Sequence, residues 1–234
     1  MPCFLRKLLS CFIFSRQRRH AFAGGWTGNK IIIVRRDGTE KVLSPFARIR
    51  GLHLKIDGSN NVLRLHEPFH FRGLRICLER GSRVDIGPSP YHISGWFWIQ
   101  YGGSLQIGKN FSNGARLEII GFDEDNLSVH IGDDCLFSHD ILIRPSDGHT
   151  LFGLASDKVL NGGKDIVIGN HVWAGMRCVF LKGAKIPDHS VVGANSLVNK
   201  AFTQTHSVYA GSPSRRINKI SVDWDRRSPR EFRR

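Results

Sequence analysis

Long apolar runs are missing from this 234-residue chain. The apolar stretch near its start, Leu8 to Phe14, holds about seven residues, whereas a bilayer-spanning helix needs about twenty. No small-residue cleavage site follows that stretch. The cluster Arg16-Gln17-Arg18-Arg19 follows instead, so a secretory signal is not expected. Cysteine is sparse: five residues (Cys3, Cys11, Cys77, Cys135, Cys178), odd in number and never spaced as CxxC. That pattern argues against a disulfide scaffold or a zinc knuckle and for a reducing compartment. The Ala-, Leu-, Glu- and Lys-rich stretches of a helical bundle are absent. There is no Walker loop, because Gly24-Gly25-Trp26-Thr27-Gly28-Asn29-Lys30 lacks the spacing, and no GxSxG nucleophile elbow.

Acidic residues are also short, 20 against 34 Lys and Arg, for a net charge of +14. The excess is not spread evenly. Residues 1–20 carry five cations and no acid, and residues 215–234 carry eight cations against three acids, so the ends hold ten of the fourteen net charges. Basic ends on a nearly balanced middle do not make a basic groove, so a nucleic-acid partner is not expected. An anionic membrane surface or an anionic substrate fits the ends, as does plain solvation. Basic and apolar residues mixed over Phe4–Phe22 form either an interfacial helix on anionic lipid or a frayed terminus. The expected location is cytoplasmic, with peripheral contact at the inner face of the cytoplasmic membrane as an option.

What is present is glycine, 25 residues, and a repeat. From Ile168 the chain divides into sixes whose first slot reads Ile168, Ala174, Phe180, Ile186, Val192, Val198 and whose fifth reads Val172, Cys178, Ala184, Ser190, Ser196. Neither a helix of 3.6 residues per turn nor an alternating strand yields a period of six. A coil that turns a corner every six residues does, with a bulky side chain inward at one slot and a small one where the wall is tight. The phase runs back through Ile143, Phe137 and Ile131, and with steps of 24 to Ile107 and from Ile86 to Val62. It breaks between Ile86 and Ile107, a gap of 21, and between Ile131 and Ile168, a gap of 37. The second break holds a polar stretch that reads as a loop thrown out of the coil, and such loops are disproportionately functional. The expected organisation is therefore a basic and apolar segment at 1–22, cap strands over 23–50, and a parallel β-helix over 51–213. An excursion loop interrupts the helix at 144–164, and a basic tail follows at 214–234.

Several spaced motifs carry a resemblance: Ser146-Asp147-Gly148-His149-Thr150, then Asp165 through Trp173-Ala174-Gly175, then Val192-Gly193-Ala194-Asn195-Ser196 and Ala210-Gly211-Ser212-Pro213. Together they resemble the hexapeptide-repeat acyltransferases, and within them the bacterial capsule and polysaccharide O-acetyltransferases. The match covers about 105–218. It departs from the family pattern at Trp173-Ala174-Gly175, where the middle residue is usually bulkier. It departs again at Lys200-Ala201-Phe202-Thr203, which lacks the usual proline, and at Ser212-Pro213-Ser214, where the family has Asn-Pro-Ala. The resemblance implies an all-β, left-handed parallel β-helix, a homotrimer, and active sites between neighbouring coils. It further implies transfer of an acetyl group from acetyl-CoA to a hydroxyl of a capsular or other cell-surface polysaccharide, or its precursor, without an acyl-enzyme and without a metal.

Such transfer needs a base for the hydroxyl proton and donors for the developing oxyanion. His149 is the candidate base, because a neutral imidazole accepts a proton near neutrality. Asp147 either orients that imidazole or is ordinary turn chemistry. Trp173 either shapes the donor site or packs at a subunit interface, and backbone N–H groups near Trp173 and Gly175 are the expected oxyanion or thioester donors. The resemblance lays the CoA arm along Gly193, Ala194 and Ser196, with Lys200, Arg215 and Arg216 placed for its phosphates. His171 either contacts the acceptor or projects outward. Trp96, Phe97, Trp98 and Tyr101 either stack on sugars or pack. Two other readings share the coil. One is a zinc enzyme like the γ-carbonic anhydrases, drawing on His130, His139, His149, His171 and His189. The other is a binding scaffold without catalysis.

Overall fold

The computed structural model describes residues 20–23, 27–44 and 46–232. Of the N-terminal segment, residues 1–19 lie outside that set, and its possible membrane contact lies outside with them. Among the described residues the chain is a left-handed parallel β-helix of about seven turns, with a single short helix at Pro229–Phe232. Three sheets form the walls of a prism. The first stacks eight parallel strands from His20–Ala23 to Leu197–Val198. The second runs parallel from Lys30–Val34 to Lys185–Ile186, with Glu40–Val42 added antiparallel at its start. The third runs from Ser112–Asn113 through Trp173–Ala174 to Val208–Ala210, and Arg215–Arg216 closes it antiparallel. A reversed strand at each end blunts an edge that would otherwise offer unpaired backbone groups.

The six-residue slots point where the pattern placed them. Ile168, Ala174, Phe180, Val192 and Val198 are fully buried, as are Val172, Cys178, Ala184, Ser190 and Ser196. One apolar column fills the prism, in which Phe137 meets Phe111 edge-on at 5.1 Å and stacks over Phe180 at 6.1 Å. Burial pushes the Cys135 thiol up to about 12 and raises that of Cys178, so both act as small apolar fillers, not as nucleophiles.

The register corrects three readings of the repeat. In the late coils Ile168 pairs with Ile186, Ala174 with Val192 and Phe180 with Val198, one coil per 18 residues. Ile107 pairs directly with Ile131, so the step of 24 is one coil with a widened corner, not four rungs in phase. Ile86 pairs with Leu65 while Val62 pairs with Arg83, so Val62 is not the inward counterpart of Ile86. A hydrophobic count of sixes cannot see this, because residues added at a corner leave the inward slots apolar. The coil also starts earlier than 51. Lys30–Val34 pairs in parallel with Val62–His66 and is part of the stack, so within 23–50 the capping strand is Glu40–Val42.

Corners decide where the side chains of interest go. The first corner, from first sheet to second, is where the chain expands: residues 120–127 in one coil and 145–165 in the next. The second corner, from second sheet to third, is a column of left-handed residues: Asn110 (φ 57°), Asp134 (55°), His171 (52°), His189 (54°) and His206 (52°). Asn, Asp and His are the side chains that tolerate this conformation best. The third corner is closely stacked. A Cβ on Gly175 would lie 2.7 Å from the Ala194 nitrogen of the next coil, so only glycine lets the backbones stack there.

Candidate active site

The excursion at the first corner is a braced structure. Ser146 Oγ donates to the Gly121 carbonyl at 2.8 Å, and Arg144 Nε donates to the Ser146 carbonyl at 2.9 Å. The Gly163 amide donates to Glu124 Oε1 at 2.6 Å, so the two expanded corners support each other. Asn161 ties the loop together. Its Nδ2 donates to Asp147 Oδ2 at 2.9 Å and to the His149 carbonyl at 2.7 Å, while its Oδ1 accepts from the Leu151 amide at 2.7 Å. Lys182, from the coil below, donates to Asp147 Oδ2 at 2.5 Å and to the Asn161 carbonyl at 2.7 Å. The Lys182 ammonium and then the Asn161 amide hold the Asp147 carboxyl below its ordinary range. Asp147 thus reaches the His149 backbone through Asn161, and His149 itself is exposed on a loop whose main chain is fixed.

Trp173 lies elsewhere, on the third sheet, with 40% of its surface exposed. The basic C-terminal tail folds back along the second corner beside it. Trp224 stacks on His171 at 4.3 Å and donates its Nε1–H to the His171 carbonyl at 2.8 Å, and its ring is 6.3 Å from Trp173. Arg226 donates to Asp134 Oδ1, Ser112 Oγ and the carbonyls of Asn110 and Cys135 at 2.7–3.1 Å, and lies over the Tyr91 ring at 4.6 Å. Charge-assisted bonds of this kind outweigh the flexibility of an Arg-rich end.

The residues expected to hold the donor are spread over the last coils. Gly175, Gly193, Ala194 and Ser196 line the third corner, Lys200 follows the first sheet with its ammonium 5.3 Å over the Phe202 ring, and Arg215 and Arg216 form the exposed closing strand. Two expectations are corrected. The Trp173 and Gly175 amides donate to the carbonyls of Ser190 (3.0 Å) and Val192 (2.8 Å), because parallel stacking commits them to the ladder, so an oxyanion donor has to come from other groups. Ser196 is buried, its Oγ accepting from the Gly211 amide at 3.1 Å, and works inside the coil. Among the aromatics, Phe97 points into the core and Trp98 donates its Nε1–H to Glu79 at 2.9 Å under packed Trp96, while Tyr101 sits 4.7 Å beneath Arg80.

Within one chain, then, His149 stands at the first corner and Trp173 on the third sheet, and the fold does not bring the two together. Of the five histidines considered for zinc, it assembles only His171 and His189, joined by Asp223 from the tail; their ligand atoms lie within 4.8 Å of one another. His130 is on the outside of the second sheet beside Gln106, His139 at the third corner and His149 in the excursion. Lys182, Asn161, Trp224 and Arg226 were not anticipated. A lone tryptophan between aspartates in an arginine-rich tail, Asp223-Trp224-Asp225-Arg226, is the signal from which docking could have been read.

The family model for bacterial transferase hexapeptide (six repeats) matches residues 165–200. The putative lipopolysaccharide biosynthesis O-acetyl transferase WbbJ of Escherichia coli (strain K12) is 30% identical over 150 residues, covering 53% of this chain and 76% of its own length. The polysialic acid O-acetyltransferase of Escherichia coli O1:K1 / APEC is 31% identical over 131 residues, covering 56% of this chain and 41% of that protein. The crystal structure of the polySia-specific acetyltransferase NeuO superposes with a TM-score of 0.74 at 27% identity, over 91% of this chain and 92% of that one. The chain spans between 26% and 58% of the length of the polysialic acid and galactoside O-acetyltransferases it matches.

Proposed function

This chain belongs to the bacterial hexapeptide-repeat transferases, and from that premise we propose that it is an O-acetyltransferase acting on a hydroxyl of a capsular or other cell-surface polysaccharide, or of its precursor. Acetyl-CoA is the donor. The observation that carries the proposal is the placement of His149: an exposed imidazole on a loop whose backbone is staked by Asn161, Asp147 and Lys182. The loop's main chain is fixed around His149 while the residue itself faces solvent.

In the proposed reaction His149 takes the hydroxyl proton as the oxygen attacks the thioester carbon, and returns it to the sulfur as the C–S bond breaks. General base assistance of this kind contributes about 10²–10⁴-fold. Asp147 acts as a positioning residue, through Asn161 and the loop, with its negative charge matched by Lys182. The last coils suit the donor. Their third corner exposes close-packed backbone for a pantetheine arm, and Lys200, Arg215 and Arg216 are exposed cations within reach of the same end of the prism. Because His149 and Trp173 occupy different edges of one prism, a site that uses both needs a second copy, and three copies about a three-fold axis complete three equal sites.

The test combines acetyl-CoA, purified protein and a panel of de-O-acetylated capsular glycans, read by mass for added acetyl groups, with light scattering for the oligomer. Acetylation by the wild type and loss of it in His149→Ala, with mass and fold unchanged, supports the reading. Undiminished transfer in that variant removes His149, and a monomer with full activity removes the shared site.

A further inference from the structure

The second corner holds a cluster that acetyl transfer does not use. His171 and His189 occupy the same position of successive coils, their rings 5.2 Å apart, and His189 stacks on His206 at 4.6 Å. Left-handed corners do not by themselves require imidazoles, since Asn110 and Asp134 serve lower in the same column. Asp223 arrives from the tail and spans the pair, with Oδ1 3.3 Å from His171 Nε2 and Oδ2 3.4 Å from His189 Nδ1.

Both rings present nitrogens to oxygens of the tail. Asp134 Oδ2 lies 2.6 Å from His171 Nδ1, and a carboxylate accepts, so that nitrogen carries the hydrogen. His171 Nε2 faces two more oxygens, Asp223 Oδ1 at 3.3 Å and the Trp224 carbonyl at 3.0 Å. His189 Nδ1 is buried and has no hydrogen-bond partner among the described residues, although Asp223 is beside it. Two imidazole nitrogens and a carboxylate thus converge, their ligand atoms within 4.8 Å of one another.

We propose that His171, His189 and Asp223 bind a divalent transition ion of the zinc type, which fastens the C-terminal tail to the coil. Zinc takes imidazole nitrogen and carboxylate oxygen at about 2.0–2.2 Å, so neighbouring ligands of a tetrahedral ion stand roughly 3.3 Å apart; Asp223 offers one oxygen to each histidine near that spacing, and the three ligand atoms, within 4.8 Å of one another, draw in on an ion. The donor set of two imidazoles and one carboxylate suits zinc, cobalt or nickel better than calcium or magnesium. Asp134 supplies the outer carboxylate that commonly orients a ligating histidine by accepting its other N–H. The Trp224 carbonyl or a water completes the fourth position. Such an ion goes beyond the expectation that no metal is used, and it serves fastening, adding to the Val222 amide–His206 carbonyl bond and to the Trp224 and Arg226 contacts that hold the tail. The inference does not rest on the acetyltransferase reading.

Untagged full-length protein, stripped with chelator, is titrated with Co²⁺ and then Zn²⁺. The expected result is one Co²⁺ per chain with the intense visible absorption of a tetrahedral site, displaced by Zn²⁺. His189→Ala and Asp223→Asn each weaken Co²⁺ binding at least tenfold, while His149→Ala leaves it unchanged. Circular dichroism of the metal-free variants, matching that of the metal-free wild type, guards against misfolding. No uptake, a weak octahedral spectrum, or affinity undiminished in both variants overturns the site. In the last case the cluster holds its tail through hydrogen bonds alone.

Discussion

The first and second corners of the prism are built on opposite plans. At the first, the chain leaves the coil twice, over 120–127 and 145–165, and the excursions brace one another through Ser146 on Gly121, Arg144 beside Asp123 and Glu124 on Gly163. At the second, no residues are added in the later coils. Single left-handed residues turn the chain, and the chain's own end is laid over them from Val222, bonded to the His206 carbonyl at 2.9 Å, down to Arg226 on Asp134. Expansion exposes a histidine on a rigid arm, whereas compaction stacks histidines until another segment covers them. The same residue type therefore serves different ends depending on whether its corner grows outward or stays closed.

Four measurements sharpen or break this contrast. The largest effect is expected at the first corner: His149→Ala lowers acetyl transfer about 10²–10⁴-fold without moving the unfolding midpoint, read by initial rates and denaturant titration. A lowered midpoint with rate intact would make that corner structural as well. Beneath both corners, Phe137→Ala empties the centre of the aromatic column between Phe111 and Phe180 and costs about 3–5 kcal/mol in urea unfolding, whichever corner is considered. At the second corner, Arg226→Ala removes four side-chain bonds and weakens docking of the tail by about 1–3 kcal/mol, seen as faster tryptic cleavage after Arg227 with the coil intact.

The smallest effect concerns Asp147. Its folded pKa lies below the ordinary value of 3.8 because of Lys182 and Asn161, so its tether to Lys182 is fully present above that pH and is lost as pH falls through the lower folded value. Proteolysis of the 145–165 loop should thus be constant from neutral pH down to about 4 and rise only below. Asp147→Asn raises it at every pH, by less than about 1 kcal/mol because the pair is largely solvated. A loop that loosens already near pH 6 would show that some group other than Asp147 holds it.

Much of the fold was legible because burial inside a narrow prism writes itself into the chain at every sixth position. Ile168, Phe180 and Val198 could only be apolar, and Cys178, Ala184 and Ser196 only small. Corner insertions were legible as interruptions but not as geometry, so the 24-residue step to Ile131 read as extra rungs although it is a widened corner. His149 was legible from its motif and its polar loop. Lys182 and Asn161 were not, since one surface lysine and one loop asparagine look like any others until the loop folds back onto the coil.

The sequence by itself determined the coil, its inward slots and the place where it is interrupted, because those depend on local periodicity and on which side chains fit a shared wall. Only the tertiary structure decided which corner each polar residue occupies and what it meets there. It set His149 and Trp173 on different edges, committed the Trp173 and Gly175 amides to the ladder, and brought Asp223 to His171 and His189. The reason is that residues added at a corner leave the ladder in register, so the wall or corner a polar residue occupies depends on where the chain turns and on what folds back there, and a count along the sequence carries no record of either.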